Sequence, residues 1–94
     1  MRELASVNDL RVRYDAGADV LYLTTKPGAS AKSREEQPGL VWRYDASDGD
    51  LIGLTIIDFR SYWGHPRRPE LVDHLASRFS LSHAETRRML DEVA

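Results

Sequence analysis

The chain has 94 residues, of which 41% are hydrophobic and 30% are charged, a composition typical of one ordinary globular domain and not of a disordered chain. Its net charge of −2 gives no overall attraction to nucleic acid or to an anionic membrane, so binding to either requires a local basic patch. The sequence contains no cysteine, which excludes disulfides, thiolate nucleophiles and cysteine-rich zinc sites. No apolar run has the length of a signal peptide core or a membrane span, and we therefore expect a cytoplasmic protein without membrane association.

The first two predicted strands flank a short turn. Residues 10–14 alternate strictly, with three apolar side chains on one side and two arginines on the other, which predicts a half-buried strand. Residues 15–18 (DAGA) form the turn, and the apolar, partly β-branched segment 19–25 predicts the second strand.

Three more strands follow, separated by proline and glycine. The polar segment 29–37 lies between two Pro-Gly pairs and predicts a weak edge strand, whose charges oppose edge-to-edge aggregation. Residues 40–45 and 51–58 predict two further strands, joined by a hairpin turn that contains an Asp-Gly pair.

The tetrapeptide RYDA occurs twice, at residues 13–16 and 43–46. Each copy stands where a strand enters a turn, and a second apolar strand follows each copy. We therefore interpret the repeat as two hairpins of similar construction in one antiparallel sheet, with Asp15 and Asp45 closing the turns.

Two helices are predicted after the sheet. The first begins at Pro69, and the second is capped by Ser82, with Glu85 three residues later completing a capping box. The predicted inward-facing residues are Leu71, Val72, Leu75 and Phe79 in the first helix and Ala84, Met89, Leu90 and Val93 in the second. The sequence thus predicts an α+β fold in a single domain of residues 1–94. An antiparallel four- to five-stranded β-meander occupies residues 9–58, and a C-terminal two-helix hairpin occupies residues 69–93.

The central strands are apolar on both faces. Val20 and Tyr22 alternate with Leu21 and Leu23, and in the last strand Ile52, Leu54 and Ile56 alternate with Leu51 and Ile57. Two short helices can cover only one face of such a sheet, so the other face needs a partner. A second copy of the chain is the simplest partner, and we predict a homodimer.

Residues 10–58 contain a spaced pattern of aspartates, glycines and aromatic or apolar residues. Its members are Tyr14, Asp15, Asp19, Leu21, Tyr22, Gly39, Tyr44, Asp45, Asp48, Gly49, Gly53, Ile56 and Asp58. This pattern resembles that of domain-of-unknown-function family 2283, a group of small bacterial proteins. The resemblance implies no activity, cofactor or catalytic residue, because the family has none established. Some members are similar in gene arrangement to the antitoxins of toxin–antitoxin pairs, which implies binding rather than catalysis.

The sequence offers little that is typical of an enzyme or of a metal site. His65, His74 and His83 are nine residues apart, a spacing that does not bring imidazoles together on a helix, so we predict no metal site. The acidic turn of the second hairpin lacks the register and the final Glu of a calcium loop. Motifs for a nucleophilic serine or a phosphate loop are absent, and an acid pair of Asp19 and Asp58 is the one arrangement left open. We expect no catalytic residues and no cofactor.

The loop between the sheet and the first helix combines aromatic rings with positive charge. Tyr62, Trp63, Arg67 and Arg68 are candidate partner-binding residues, because Trp, Tyr and Arg are enriched in interface hot spots. A structural alternative stays open, in which the two rings pin the first helix to the sheet and the arginines lie in solvent.

We therefore predict a small, non-catalytic, homo-oligomeric module that binds another protein, in the manner of an antitoxin. The alternative is a nucleic-acid-binding regulator that uses arginines of the C-terminal helices. That alternative has less support, because residues 67–94 carry five arginines against five acidic residues.

Overall fold

The computed structural model describes residues 2–7 and 10–93, with side chains described from residue 10 onward. The strands are β1 (Arg2–Val7), β2 (Leu10–Asp15), β3 (Val20–Thr24), β4 (Ala31–Gln37), β5 (Leu40–Asp45) and β6 (Leu51–Ile57). The helices are α1 (Arg68–Phe79) and α2 (His83–Asp91).

The six strands form one antiparallel sheet in the order β1-β2-β3-β6-β5-β4. The first three strands form one meander and the last three form another, and the pairing of β3 with β6 joins the two halves. The predicted fold class, an antiparallel sheet followed by two helices, is confirmed. β1 lies outside the predicted strands, and β3 pairs with β6 rather than with the next strand along the chain.

The polarity of the strands explains this order. β3 and β6 carry apolar side chains on both faces, and such strands belong at the centre of a sheet. β4 has five exposed residues in a row, from Lys32 to Glu36, and it lies at the edge as predicted.

One face of the sheet packs against both helices to form the core. Its buried side chains are Leu10, Val12, Leu21, Leu23, Leu40, Trp42, Leu54 and Ile56. The helices add Leu71, Val72, Leu75, Met89 and Leu90, and Val93 follows just after α2. These positions confirm most of the predicted inward-facing residues of the helices. Ala84 is exposed, contrary to the prediction, because it lies on the opposite side of α2 from the buried Thr86.

A bulge in β6 changes which of its side chains enter the core. Arg43 pairs with Gly53 and Tyr44 pairs with Leu51, so Ile52 has no partner in the ladder. Leu51 packs against the core instead. The prediction that Ile52 shares a face with Leu54 and Ile56 is therefore wrong, because the bulge shifts the register by one residue.

The helices cover the sheet of their own chain. The guanidinium of Arg78 in α1 lies 4.2 Å from the ring centre of Trp42 and donates hydrogen bonds to Tyr44 Oη and to Glu36. Tyr44 Oη–H donates in turn to Glu36 at 2.8 Å. This network attaches the helical hairpin to strands β4 and β5.

The cap of α2 is the one that the sequence predicts. Ser82 Oγ accepts from the Glu85 N–H at 3.0 Å, and the Glu85 carboxylate accepts from the Ser82 N–H at 3.4 Å. Neither helix is long and apolar enough to span a membrane, as judged over the described residues.

Candidate functional site

Asp19, at the entry to β3, fixes the start of the loop that follows β6. Its Oδ1 accepts hydrogen bonds from Tyr14 Oη–H at 2.7 Å and from the Arg60 N–H at 2.9 Å, and its Oδ2 accepts from the Ser61 N–H at 3.1 Å. The Phe59 N–H donates to the Asp19 carbonyl at 3.0 Å. The first turn of the loop is thereby attached to a central strand of the sheet.

These hydrogen bonds keep Asp19 ionised. Burial alone would raise its pKa, but the bonds from Arg60, Tyr14 and Ser61 stabilise the carboxylate and hold the pKa below its ordinary value. The pKa of Tyr14 is raised, first by burial and then by the hydrogen bond that it donates to Asp19. In the described part of the chain, the hydrogen-bond partners of Asp19 are donors and not a second carboxyl group, so its observed role is structural.

Trp63, one of the four candidate residues, is a core residue. It is 3% exposed and belongs to the hydrophobic core, with its ring centre 6.3 Å from that of His74 and 5.1 Å from that of Tyr62. Its indole Nε1 lies close to Gly39, where a Cβ would be only 3.2 Å away. Trp63 thus pins the loop to the sheet, as the structural alternative proposed, and its side chain is not presented to a partner.

Arg68, the second candidate, is half-buried against the loop. Its Nε–H donates to the Trp63 carbonyl at 2.9 Å, and its guanidinium lies 4.3 Å from the ring centre of Phe59. Burial lowers the pKa of Arg68, although Asp91 acts in the opposite direction. One edge of the guanidinium is therefore held by the protein, and the other edge faces outward.

Tyr62 and Arg67, the remaining candidates, lie at the surface. Tyr62 is 39% exposed, and the guanidinium of the exposed Arg67 lies 4.4 Å from its ring centre. Such a cation–π pair holds both side chains in one geometry without burying them. Of the four predicted anchors, these two have side chains placed for direct contact with a partner, and the binding role stays a prediction.

A pocket of about 400 Å³ opens between the loop and α2. It is lined by His65, Arg68, Pro69, Arg87 and Asp91. Arg87 and Asp91 are four residues apart and so share one side of α2, which is the only signal of this site in the sequence. Their proximity to Arg68 depends on how α2 packs against α1, and no local sequence pattern predicts this packing.

No described element packs on the face of the sheet away from the helices, which we call the open face. Its side chains form rows across neighbouring strands: Arg13, Tyr22, Thr55 and Val41 in one row, Val20 and Ile57 in the next, and Thr24 and Arg43 with Gly53 in a third. Ile57 is 40% exposed, and the other apolar side chains are half-buried. A shallow cavity of about 200 Å³ lies over Tyr22, Arg43 and Ile52.

The two RYDA aspartates close turns, which confirms that interpretation of the repeat. Asp15 Oδ1 accepts from the N–H groups of Gly17 and Ala18, and Asp45 Oδ1 accepts from the N–H and the hydroxyl of Ser47. Asp45 also forms an ion pair with Lys26, which belongs to the turn after β3. The hydrogen bonds from Lys26 and Ser47 hold the pKa of Asp45 far below its ordinary value.

The three histidines lie in different environments. His65 lines the pocket, His74 contacts Trp63 in the core, and His83 Nε2 lies 2.8 Å from Asp73 Oδ1. Within residues 10–93, no three His, Asp or Glu side chains are grouped in a way that would hold a metal ion.

The exposed side of α2 carries both signs of charge. Arg87 and Arg88 are exposed, and so are Asp91 and Glu92. A recognition helix in a DNA groove is surrounded by phosphates and favours a positive surface. The mixed charges therefore give the helix-based nucleic-acid alternative little electrostatic support.

The fold and these surfaces define a class of protein: a small α+β domain whose antiparallel sheet is covered by helices on one face and open on the other. The family model described as "Protein of unknown function (DUF2283)" matches residues 11–60, which is more than half of the chain, and the chain belongs to this family. No curated protein and no solved structure matches the chain.

The matched region contains strands β2 to β6 and the turn held by Asp19. Several residues of the shared pattern have structural roles here, because Tyr14 and Asp19 anchor the loop, Asp45 closes a turn and Gly39 admits Trp63. The pocket and both helices lie outside the matched region.

Proposed function

We propose that this protein is a small, non-catalytic, cytoplasmic module that forms a homodimer through its open face and binds another protein through the loop of residues 58–67. The observation that carries the proposal is the unequal covering of the sheet. One face lies under two helices, while the other presents apolar side chains from β3, β5 and β6 to solvent. Such a module acts by covering a functional site of its partner protein, as an antitoxin does.

The composition of the open face suits a dimer interface, which at standard size buries roughly 800 Å² per partner. Val20, Val41 and Ile57 supply its apolar side chains, and burial of apolar area contributes about 25 cal/mol per Å².

The charges on the open face are compatible with self-association. The row that contains Arg43 lies at one end of the strands, and Asp15 pairs with Val20 at the other end. A two-fold axis that reverses the strand direction places the arginine end of one copy over the aspartate end of its partner. Such an isologous arrangement pairs opposite charges at the ends of the strands, while Arg13 lies in the middle row.

The dimer is tested by light scattering at tens of micromolar, roughly the range that exceeds ordinary dimer dissociation constants. We expect a dimer for the wild type and a monomer for Ile57→Arg, because the new charge would be desolvated within the interface. Ser77→Arg, on the exposed surface of α1, is the matched control and should remain dimeric. A monomeric wild type contradicts the proposal. So does a result in which Ile57→Arg and Ser77→Arg dissociate to monomers to the same extent.

The binding of a second protein is tested by capture of tagged protein from an extract of its own host, with and without nuclease. We expect a stoichiometric protein partner that survives nuclease and is lost with the double variant Tyr62→Ala/Arg67→Ala. Arg88→Ala removes an exposed arginine elsewhere and should retain the partner. Both side chains lie at the surface, so the thermal midpoint of the double variant should change little. If the double variant recovers as much of the partner as the wild type does, the loop is not the binding site.

A second candidate function, nucleic-acid binding, is favoured by the arginines of the open face. Arg13 pairs with Tyr22, and Arg43 of β5 lines the same cavity as both residues. Arginines near an aromatic ring suit single-stranded nucleic acid. This function predicts recovery of nucleic acid in the same capture and an affinity that falls steeply with salt.

A further inference from the structure

The pocket between the loop and α2 is positively charged. Arg68 and Arg87 supply two guanidinium groups and Asp91 supplies one carboxylate, which leaves one positive charge when His65 is neutral. No carboxylate of residues 10–93 lies within 4.0 Å of either guanidinium, so neither charge is neutralised by an ion pair in the described structure.

Arg68 is held in place in a way that suits anion binding. Its Nε–H bond to the Trp63 carbonyl and its position over the Phe59 ring fix the plane of the guanidinium. The half-buried position strips water from the charge, as the lowered pKa of Arg68 reflects. A fixed and partly dehydrated guanidinium loses less entropy and hydration when it pairs with a planar anion.

The charge balance of the pocket suits a carboxylate. One net positive charge matches a monoanion, whereas a phosphate group near pH 7 carries almost twice that charge and would meet repulsion from Asp91. Arg87 projects from a different element than Arg68, so the two guanidinium groups can approach a carboxylate from two sides. Tyr62 and Arg67, whose side chains contact each other, precede the pocket residue Arg68 in the chain.

We propose that this pocket binds the carboxylate of a Glu or Asp side chain in an acidic segment of the protein partner. This inference rests on the proposed protein-binding function and names the chemistry of the partner. Arg68 and Arg87 pair with the carboxylate, and the neighbouring aromatic side chain contacts the apolar part of the segment.

The test uses a fluorescently labelled peptide, Ser-Gly-Glu-Leu-Glu-Gly-Ser, and its matched version with Gln in place of both Glu residues. Fluorescence anisotropy should show binding of the Glu peptide and at least tenfold weaker binding of the Gln peptide. Arg87→Gln should weaken the binding of the Glu peptide about tenfold or more, the effect of removing one charge-assisted hydrogen bond. Arg88→Gln, the next residue on the same helix, is the matched control and should change the affinity less than twofold.

A shift of the Arg68 Nε–H resonance on titration with the Glu peptide, followed by NMR, is the second expected readout. Equal effects of Arg87→Gln and Arg88→Gln would overturn the proposal, because they would show general attraction to positive charge. Competition by millimolar inorganic phosphate with no discrimination between the two peptides would also overturn it, in favour of a phosphate site. Absence of peptide binding by a protein that still captures its partner would refute the pocket and leave the proposed function standing.

Discussion

At the scale of single residues, the aspartates of the repeated hairpins act as acceptors of hydrogen bonds. Asp15 serves only its own turn, whereas Asp45 also pairs with Lys26 and so connects the turn after β3 with the turn after β5. The buried Asp45 side chain is 5% exposed, while that of Lys26 is 53% exposed. The pair therefore joins two neighbouring turns at the edge of the core.

Asp45 predicts a dependence of stability on pH. Its pKa is lower in the folded chain than in the unfolded chain, first because of the hydrogen bond from Lys26. Its contribution is therefore fully present above the ordinary Asp pKa of 3.8 and is lost as the pH falls through the lower folded-state pKa. We expect the free energy of unfolding, measured with urea from pH 7 to pH 2, to fall below about pH 4.

The variant Asp45→Asn separates this contribution from those of other acidic groups. It should be less stable than the wild type at pH 7 and approach it in stability at pH 2, because protonation of the Asp45 carboxyl in the unfolded wild type below pH 3.8 reduces the advantage of the ionised form. Asp48→Asn, in the same turn, keeps an oxygen that can accept from the Asp50 N–H and should follow the wild-type curve. A constant difference between Asp45→Asn and wild type across the pH range would contradict the prediction.

Trp63 is a residue whose role cannot be decided from the sequence alone. Its residue type and position marked it as either an anchor for a partner or a pin for the helix. The choice depends on the close approach of Gly39, which lies 24 residues earlier in the chain and has φ of +78°. The sequence between them contains no signal that brings the two residues together.

At the scale of elements, the junction of β3 and β6 contains a close approach of the two backbones at Gly53. A Cβ on Gly53 would lie 2.6 Å from the Leu23 carbonyl oxygen, a distance that no real side chain accepts without movement of the backbone. Gly53 pairs with Thr24 and stands next to the bulge at Ile52. Glycine is therefore required here for a close approach of strands and not for a turn.

Gly53→Ala should consequently destabilise the fold. We expect a loss of about 1–3 kcal/mol, the usual cost of forcing extra volume into a packed site. Gly17→Ala is the matched control, since a Cβ there meets nothing closer than 3.5 Å, and its effect should stay within about 0.5 kcal/mol. Chemical denaturation of both variants measures the difference, and equal effects would show that the junction can relax.

The strands themselves were predictable and their order was not. Alternation of polar and apolar residues marks β2, and Pro-Gly pairs mark the ends of β4. These are local signals. The pairing of β3 with β6 joins residues as distant as Val20 and Ile57, and only the shared apolar character of both strands points to it.

At the scale of the whole molecule, the candidate surfaces lie on different parts of the fold. The open face belongs to the sheet, and the pocket lies between the loop and α2. The composition predicts neither, because the net charge of −2 conceals a basic pocket and a face with several arginines. The candidate residues of the loop were found from their types, whereas Arg87 and Asp91 become part of the same site only through the packing of the helices.

The position of the helices outside the family match has a consequence for the relatives of this chain. Residues 11–60 include most of the sheet, whose core face carries Leu21, Leu23, Trp42 and Leu54. Without α1 and α2 these side chains would meet water. A relative that keeps the matched region but lacks the two helices must shield that face by other means, with a different appended segment or by association of chains. The family match therefore covers most of the sheet and its turns, whereas the helices that cover the core lie outside it.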